Sequence, residues 1–131
     1  MMHSRRLGDL AEGEVLPRLP VAVSVAANDR YWAGAAIEHP ARAAGLLYPP
    51  MAANLTILAV GQVVDEVLLH TAQRLVCHAT VPAPEDLVVD ARTTRRFEKR
   101  DRSYVVVEAE VTTEGGKRLW TSTATFTPAR V

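Results

Sequence analysis

The chain has 131 residues, 48% of them apolar and 23% charged, the balance of one ordinary soluble globular domain rather than a disordered or fibrous chain. Fifteen Lys and Arg offset fifteen Asp and Glu, which removes the bulk electrostatic case for nucleic acid or an anionic membrane surface. One cysteine, Cys77, excludes an internal disulfide and fits a reducing, cytoplasmic compartment.

Residues 1–12 carry two arginines but no apolar run and no small-residue cleavage site, so they read as a flexible tail and not as a secretory signal. Residues 14–26 hold two prolines and then a Val alternation, which predicts a first strand at a sheet edge. Asn28 or Asp29 is placed to cap a short helix through Trp32 and Ala36. Pro40 can open a further single turn, and Gly45 can close it.

No charged residue occurs from Ala43 to Val64, but Gly45 and Pro49-Pro50 interrupt the run. About fourteen helical residues remain, too few to cross ~30 Å of hydrocarbon. The spacing predicts a buried helix from Met51 to Val64, with only Asn54, Thr56 and Gln62 polar. A helix apolar on every face has to be covered on every face.

Four period-2 segments follow, and each predicts a strand with one apolar face. Leu75, Cys77, Ala79 and Val81 form one face; Leu87, Val89 and Ala91 the next; Val105, Val107, Ala109 and Val111 the third; Trp120, Ser122, Ala124 and Phe126 the last. Glu114-Gly115-Gly116 predicts a hairpin turn that pairs the last two strands antiparallel. The order is one strand, short helical pieces, a buried helix and four antiparallel strands. It suggests a curved antiparallel sheet wrapped around one central helix, the hot dog fold, filling residues 1–131 as a single α+β domain. A helix lying on an open sheet is the other topology this order allows.

Four stretches extend the likeness. Ala41-Arg42-Ala43-Ala44-Gly45-Leu46, Tyr48-Pro49-Pro50-Met51, Pro82-Ala83-Pro84-Glu85-Asp86-Leu87 and Trp120-Thr121-Ser122-Thr123-Ala124-Thr125-Phe126 together resemble the MaoC-like hydratase and dehydratase family. The resemblance implies an acyl thioester of coenzyme A or acyl carrier protein as substrate, with no cofactor beyond that carrier. It implies hydro-lyase chemistry, in which water is added across a 2-enoyl bond or removed from a 3-hydroxyacyl group. That chemistry needs a base for the alpha proton, an acid for the leaving hydroxyl, and donors aimed at the thioester carbonyl.

Family members place an Asp and, five residues later, a His before the central helix. Ungapped matching at Ala44-Gly45-Leu46 puts Arg30 and Ala35 there, and neither transfers protons. A degenerate, N-terminal-type member is implied. Asp29 and His39 stand nearby, and a local gap would make them a shifted acid–base pair; otherwise Asp29 is a helix cap and His39 a solvated loop residue. Glu38 is a further carboxylate. The same matching sets Ala52 and Ala53 at the family's oxyanion turn, where free N–H groups and the positive helix end favour a polarised carbonyl. Asn54 follows as a buried amide that needs partners and could reach a ligand.

His70 and His78 lie ~26 Å apart along an extended strand at ~3.3 Å per residue, so no metal site is read from them. Cys77 reads as a small core hydrophobe. The basic run from Arg92 to Arg102 could meet coenzyme A phosphates or an acidic carrier protein, or be a solvated hairpin balanced by Glu98 and Asp101. Three functions stay open: an active hydratase or dehydratase using Asp29 and His39, a non-catalytic subunit paired with an active MaoC-like chain as homodimer or heteromer, and an acyl thioesterase.

Overall fold

Strict alternation makes the last two strands the most deeply seated part of the sheet. Val105, Val107, Ala109 and Val111 are buried on β4 (Arg102–Thr113), and Trp120, Ser122, Ala124 and Phe126 on β5 (Arg118–Pro128). The computed structural model describes residues 5–36 and 38–129. With β1 (Leu19–Val23), β2 (Leu68–Cys77) and β3 (Glu85–Lys99), these strands form one antiparallel sheet in the order β1-β3-β4-β5-β2. Register shifts interrupt three of its four pairings, at His70/Ala72, Thr93/Arg95 and Val111/Thr112, and such bulges bend and twist a sheet.

Three helices follow β1 in the chain: α1 (Val25–Ala35), α2 (Pro40–Ala43) and α3 (Met51–Gly61). Leu55, Ala59, Val60, Met51 and Ala52 of α3 are buried with the inward residues of β3, β4 and β5 in one core. Thr56 is the polar member of that face. Its hydroxyl lies 2.8 Å from both the Ala52 carbonyl and Ser122 Oγ, so a buried hydroxyl pair is satisfied between helix and sheet.

The structure departs from the sequence reading at several points. Residues 5–12 are not a flexible tail: Leu7 and Leu10 are core residues, Arg5 exchanges backbone hydrogen bonds with Val63 and Asp65, and its guanidinium pairs with Glu14. Residues 1–4 lie outside the described residues. The predicted first strand is shorter, because Ser24 turns the chain into α1 by accepting from the Ala27 N–H at 3.0 Å. Neither Asn28 nor Asp29 caps that helix.

Helix α3 is covered on one side only. Asn54, Ile57, Leu58 and Gly61, spaced three and four apart on a single face, are all exposed. Cys77 is exposed too, at the end of β2, the edge strand of the sheet. The bulge in β2 also separates the two histidines. His70 stacks on buried Phe126, whereas His78 reaches Thr121, which alternates with the core set on β5.

Candidate functional site

Helix α1, α2 and the first turn of α3 converge on the carbonyl and amide groups of residues 46–48. Asn28 is buried and spans this segment, its Nδ2 donating to the Leu46 carbonyl at 2.9 Å and its Oδ1 accepting from the Tyr48 N–H at 2.9 Å. Trp32 Nε1 donates to the same Leu46 carbonyl at 2.8 Å. Trp32 meets Tyr48 edge-on at 4.8 Å, and Tyr31 stacks on Tyr48 at 6.3 Å. These aromatic contacts fix α1 against the chain that enters α3.

Asp29, Glu38, His39, Pro40, Arg42 and Ala43 line an open cavity of about 590 Å³ on this side of the molecule. The two residues singled out for proton transfer therefore face one space, but each already has a partner. Asp29 Oδ1 accepts from Arg42 Nη2 at 3.1 Å and Nε at 3.3 Å. His39 caps α2, its Nδ1 accepting from the Ala41 N–H at 3.0 Å, and its ring stacks on Trp32 at 5.8 Å. A neutral imidazole with its lone pair on Nδ1 carries its hydrogen on Nε2. His39 thus offers the cavity a donor, and taking up a second proton means giving up the cap.

The oxyanion expectation needs correction in one respect. The Ala52 and Ala53 N–H groups are not free: they donate to the Pro49 and Pro50 carbonyls at 3.0 and 3.1 Å, because a tight turn runs into α3. Small side chains remain at this turn, and Ala52 is fully buried. Asn54 is exposed rather than buried, and its Nδ2 donates to the Tyr31 hydroxyl at 2.7 Å. Arg42 and Tyr31 were missed as site residues. Their partners lie 13 and 23 positions away in sequence, and no local pattern links them.

Among the described residues no group of three His, Cys, Asp or Glu side chains is placed to hold a metal ion. No described helix is long and apolar enough to cross a membrane.

One helix laid in a bent antiparallel sheet of this strand order is the hot dog fold. The chain superposes on the (R)-hydratase from A. caviae involved in PHA biosynthesis with a TM-score of 0.74, 18% identity, and coverage of 92% of this chain and 98% of that one. It matches the MaoC-like dehydratase from Rhodospirillum rubrum at TM-score 0.73 and 17% identity over 98% and 99% of the two chains. It also matches the C-terminally truncated HadBC (3R-hydroxyacyl-ACP dehydratase) complex from Mycobacterium tuberculosis at 0.72 and 18%, over 88% and 96%. No protein-family model and no curated protein sequence matches the chain significantly.

Proposed function

We propose that this chain binds an acyl thioester, carried on coenzyme A or acyl carrier protein, as a non-catalytic or weakly active MaoC-like subunit of a 3-hydroxyacyl/2-enoyl thioester dehydratase. The observation that carries the reading is the open side of α3. Ile57 and Leu58 are 41% and 48% exposed, and β2 beside them has an edge with no strand partner among the described residues. An apolar helix face next to a free strand edge is a surface that another chain covers. A second hot dog chain, either another copy or an active MaoC-like partner, fits that surface, and the neighbour HadBC is itself a complex.

The proton-transfer groups support the subunit reading over the active one. Asp29 is tied to Arg42, and the only lone pair of His39 is tied to the Ala41 N–H. A general acid or base contributes ~10²- to 10⁴-fold, so an enzyme without a free pair is slow by a wide margin. A shared cavity is what favours the alternative, since Asp29 and His39 do line the same space. The exposed, unpaired thiol of Cys77 fits a reducing cytoplasm.

The test follows disappearance of the conjugated thioester of crotonyl coenzyme A. The isolated chain is expected to hydrate it slowly or not at all, while forming a stable complex with a co-encoded MaoC-like chain that keeps both catalytic residues. Robust turnover by the isolated chain overturns the subunit reading. In that case His39→Ala and Asp29→Asn each abolish turnover if the shifted pair is responsible.

A further inference from the structure

Helix α2 begins on a side-chain anchor that can change its charge. Pro40 has no N–H, so the first amide donor of the helix is that of Ala41, and it goes to His39 Nδ1 at 3.0 Å. Only a ring with a bare Nδ1 can accept that bond. The same imidazole stacks on Trp32 at 5.8 Å. Trp32 Nε1 donates to the Leu46 carbonyl at 2.8 Å, and the Leu46 N–H returns to the Ala41 carbonyl at 3.0 Å. His39 thus closes a circuit of contacts through Ala41, Leu46 and Trp32.

A proton on Nδ1 acts on the two sides of this circuit in opposite directions. The bond to Ala41 is lost, because an N–H then faces an N–H. The contact with Trp32 is strengthened, because a cation within about 6 Å of an indole centroid is attracted to the ring. The imidazole is therefore held, and the helix is what lets go. Arg42 rides on that helix, with its Nη2 at 3.1 Å and its Nε at 3.3 Å from Asp29 Oδ1. Among the described residues, the charged groups lining the space with His39 are Asp29 from α1, Glu38 beside the ring and Arg42 from α2. Both carboxylates attract an imidazolium and Arg42 repels it, so release of Arg42 and protonation of His39 reinforce each other.

We infer that His39 and α2 form a clasp that acid releases. With His39 neutral, α2 is capped and Arg42 holds Asp29; with His39 protonated, the cap is gone and Asp29 is freed to face the imidazolium. The bearing of the clasp on activity rests on reading this space as the thioester site, since the freed groups are the shifted acid–base pair. The clasp itself is observed without any thioester, so it can fail while that reading stands.

The full chain, labelled with ¹⁵N, is titrated from about pH 8 to about pH 5, the interval in which an ordinary imidazole changes charge. At the alkaline end the His39 ring shifts should report hydrogen on Nε2 alone. The Ala41 amide and the Arg42 Nε–H should then move with the midpoint of the His39 ring. Exchange of the Ala41 amide, corrected for its intrinsic pH dependence, should rise roughly two- to thirtyfold, the range of one lost helix cap. His39→Asn caps through an oxygen that does not titrate, and should hold both signals flat. His39→Ala should show the released signals already at the alkaline end. An Ala41 amide that ignores the His39 titration, a His39 ring that does not titrate in this interval, or a transition that survives in His39→Asn overturns the proposal.

Discussion

Strands β5 and β2 are hydrogen-bonded neighbours with similar alternation in sequence, yet they end in opposite environments. On β5 the residues Trp120, Ser122, Ala124 and Phe126 are all buried, while on β2 only Leu68 and Leu75 are even half-buried. The difference is one of neighbours. β5 has β4 on one side, β2 on the other and α3 over its inner face, whereas β2 has a free edge and stands beside the uncovered stripe of α3. Alternation states which side chains share a face, and a second layer decides whether that face is wet.

The largest effect should come from the covered side of α3. Leu55 is 2% exposed, so Leu55→Asp buries an unpaired charge at a cost of several kcal/mol, against a total stability of ~5–15 kcal/mol. The variant should lose its cooperative melting transition, and a soluble form with an unchanged Tm would break the comparison. Leu58→Asp, on the open stripe of the same helix, should change the stability of the isolated chain by no more than about 0.5 kcal/mol. Its effect should appear in sedimentation, as a shift from an assembled form to a 14.3 kDa species. Assembly that survives the substitution would place the partner surface elsewhere.

A smaller effect sits at the junction of helix and sheet. Thr56→Val removes the hydroxyl between the Ala52 carbonyl and Ser122, and should cost about 1–3 kcal/mol in denaturant unfolding because Ser122 is left short of a buried partner. Thr56→Ser should restore most of it.

The smallest effect belongs to the amino-terminal segment. The Arg5 guanidinium, helped by the Ala11 N–H, holds the Glu14 carboxyl down to about 2 from an ordinary 4.5. A carboxyl lowered by folding contributes stability that is present above its unfolded value and is lost as pH falls through the folded one. Unfolding followed from pH 4.5 down to about 2 should therefore weaken more steeply in the native chain than in Glu14→Gln. Equal slopes would mean the pair adds nothing to the fold.

Much of the sheet was legible because residues 87–93 of β3, 105–113 of β4 and 120–126 of β5 bury every second residue, and period 2 is visible without any knowledge of partners. The start of α1 was not, since Val21, Val23 and Val25 continue an alternation that Ser24 interrupts by capping through its side chain, a choice settled by local geometry. Leu7, Leu10 and Leu16 enter the core from a segment with no regular period, held by bonds to Thr93 and Ala91 that no sequence window contains. At the site, proximity of Asp29, Glu38 and His39 was legible in their short separation. Their engagement was not, because a cap or an ion pair depends on where a particular nitrogen points. Asn54 and Cys77 were expected to be buried because a helix apolar on nearly every face and a period-2 strand imply cover on the apolar side, yet both are exposed among the described residues.

The amino-terminal segment also bears on how the chain folds as it is made. Glu14 donates its N–H to the Thr93 hydroxyl, 79 residues further on, and Leu16 bonds to Ala91. During synthesis Leu7, Leu10 and Leu16 leave the ribosome before β3 and wait for it to supply the bonding partners of their segment at Ala91 and Thr93. Contacts of such long sequence separation form late and slow folding, and the waiting apolar residues are where a nascent chain is open to aggregation or to a chaperone. Leu7, Leu10 and Leu16 are thus made well before the strand that settles them.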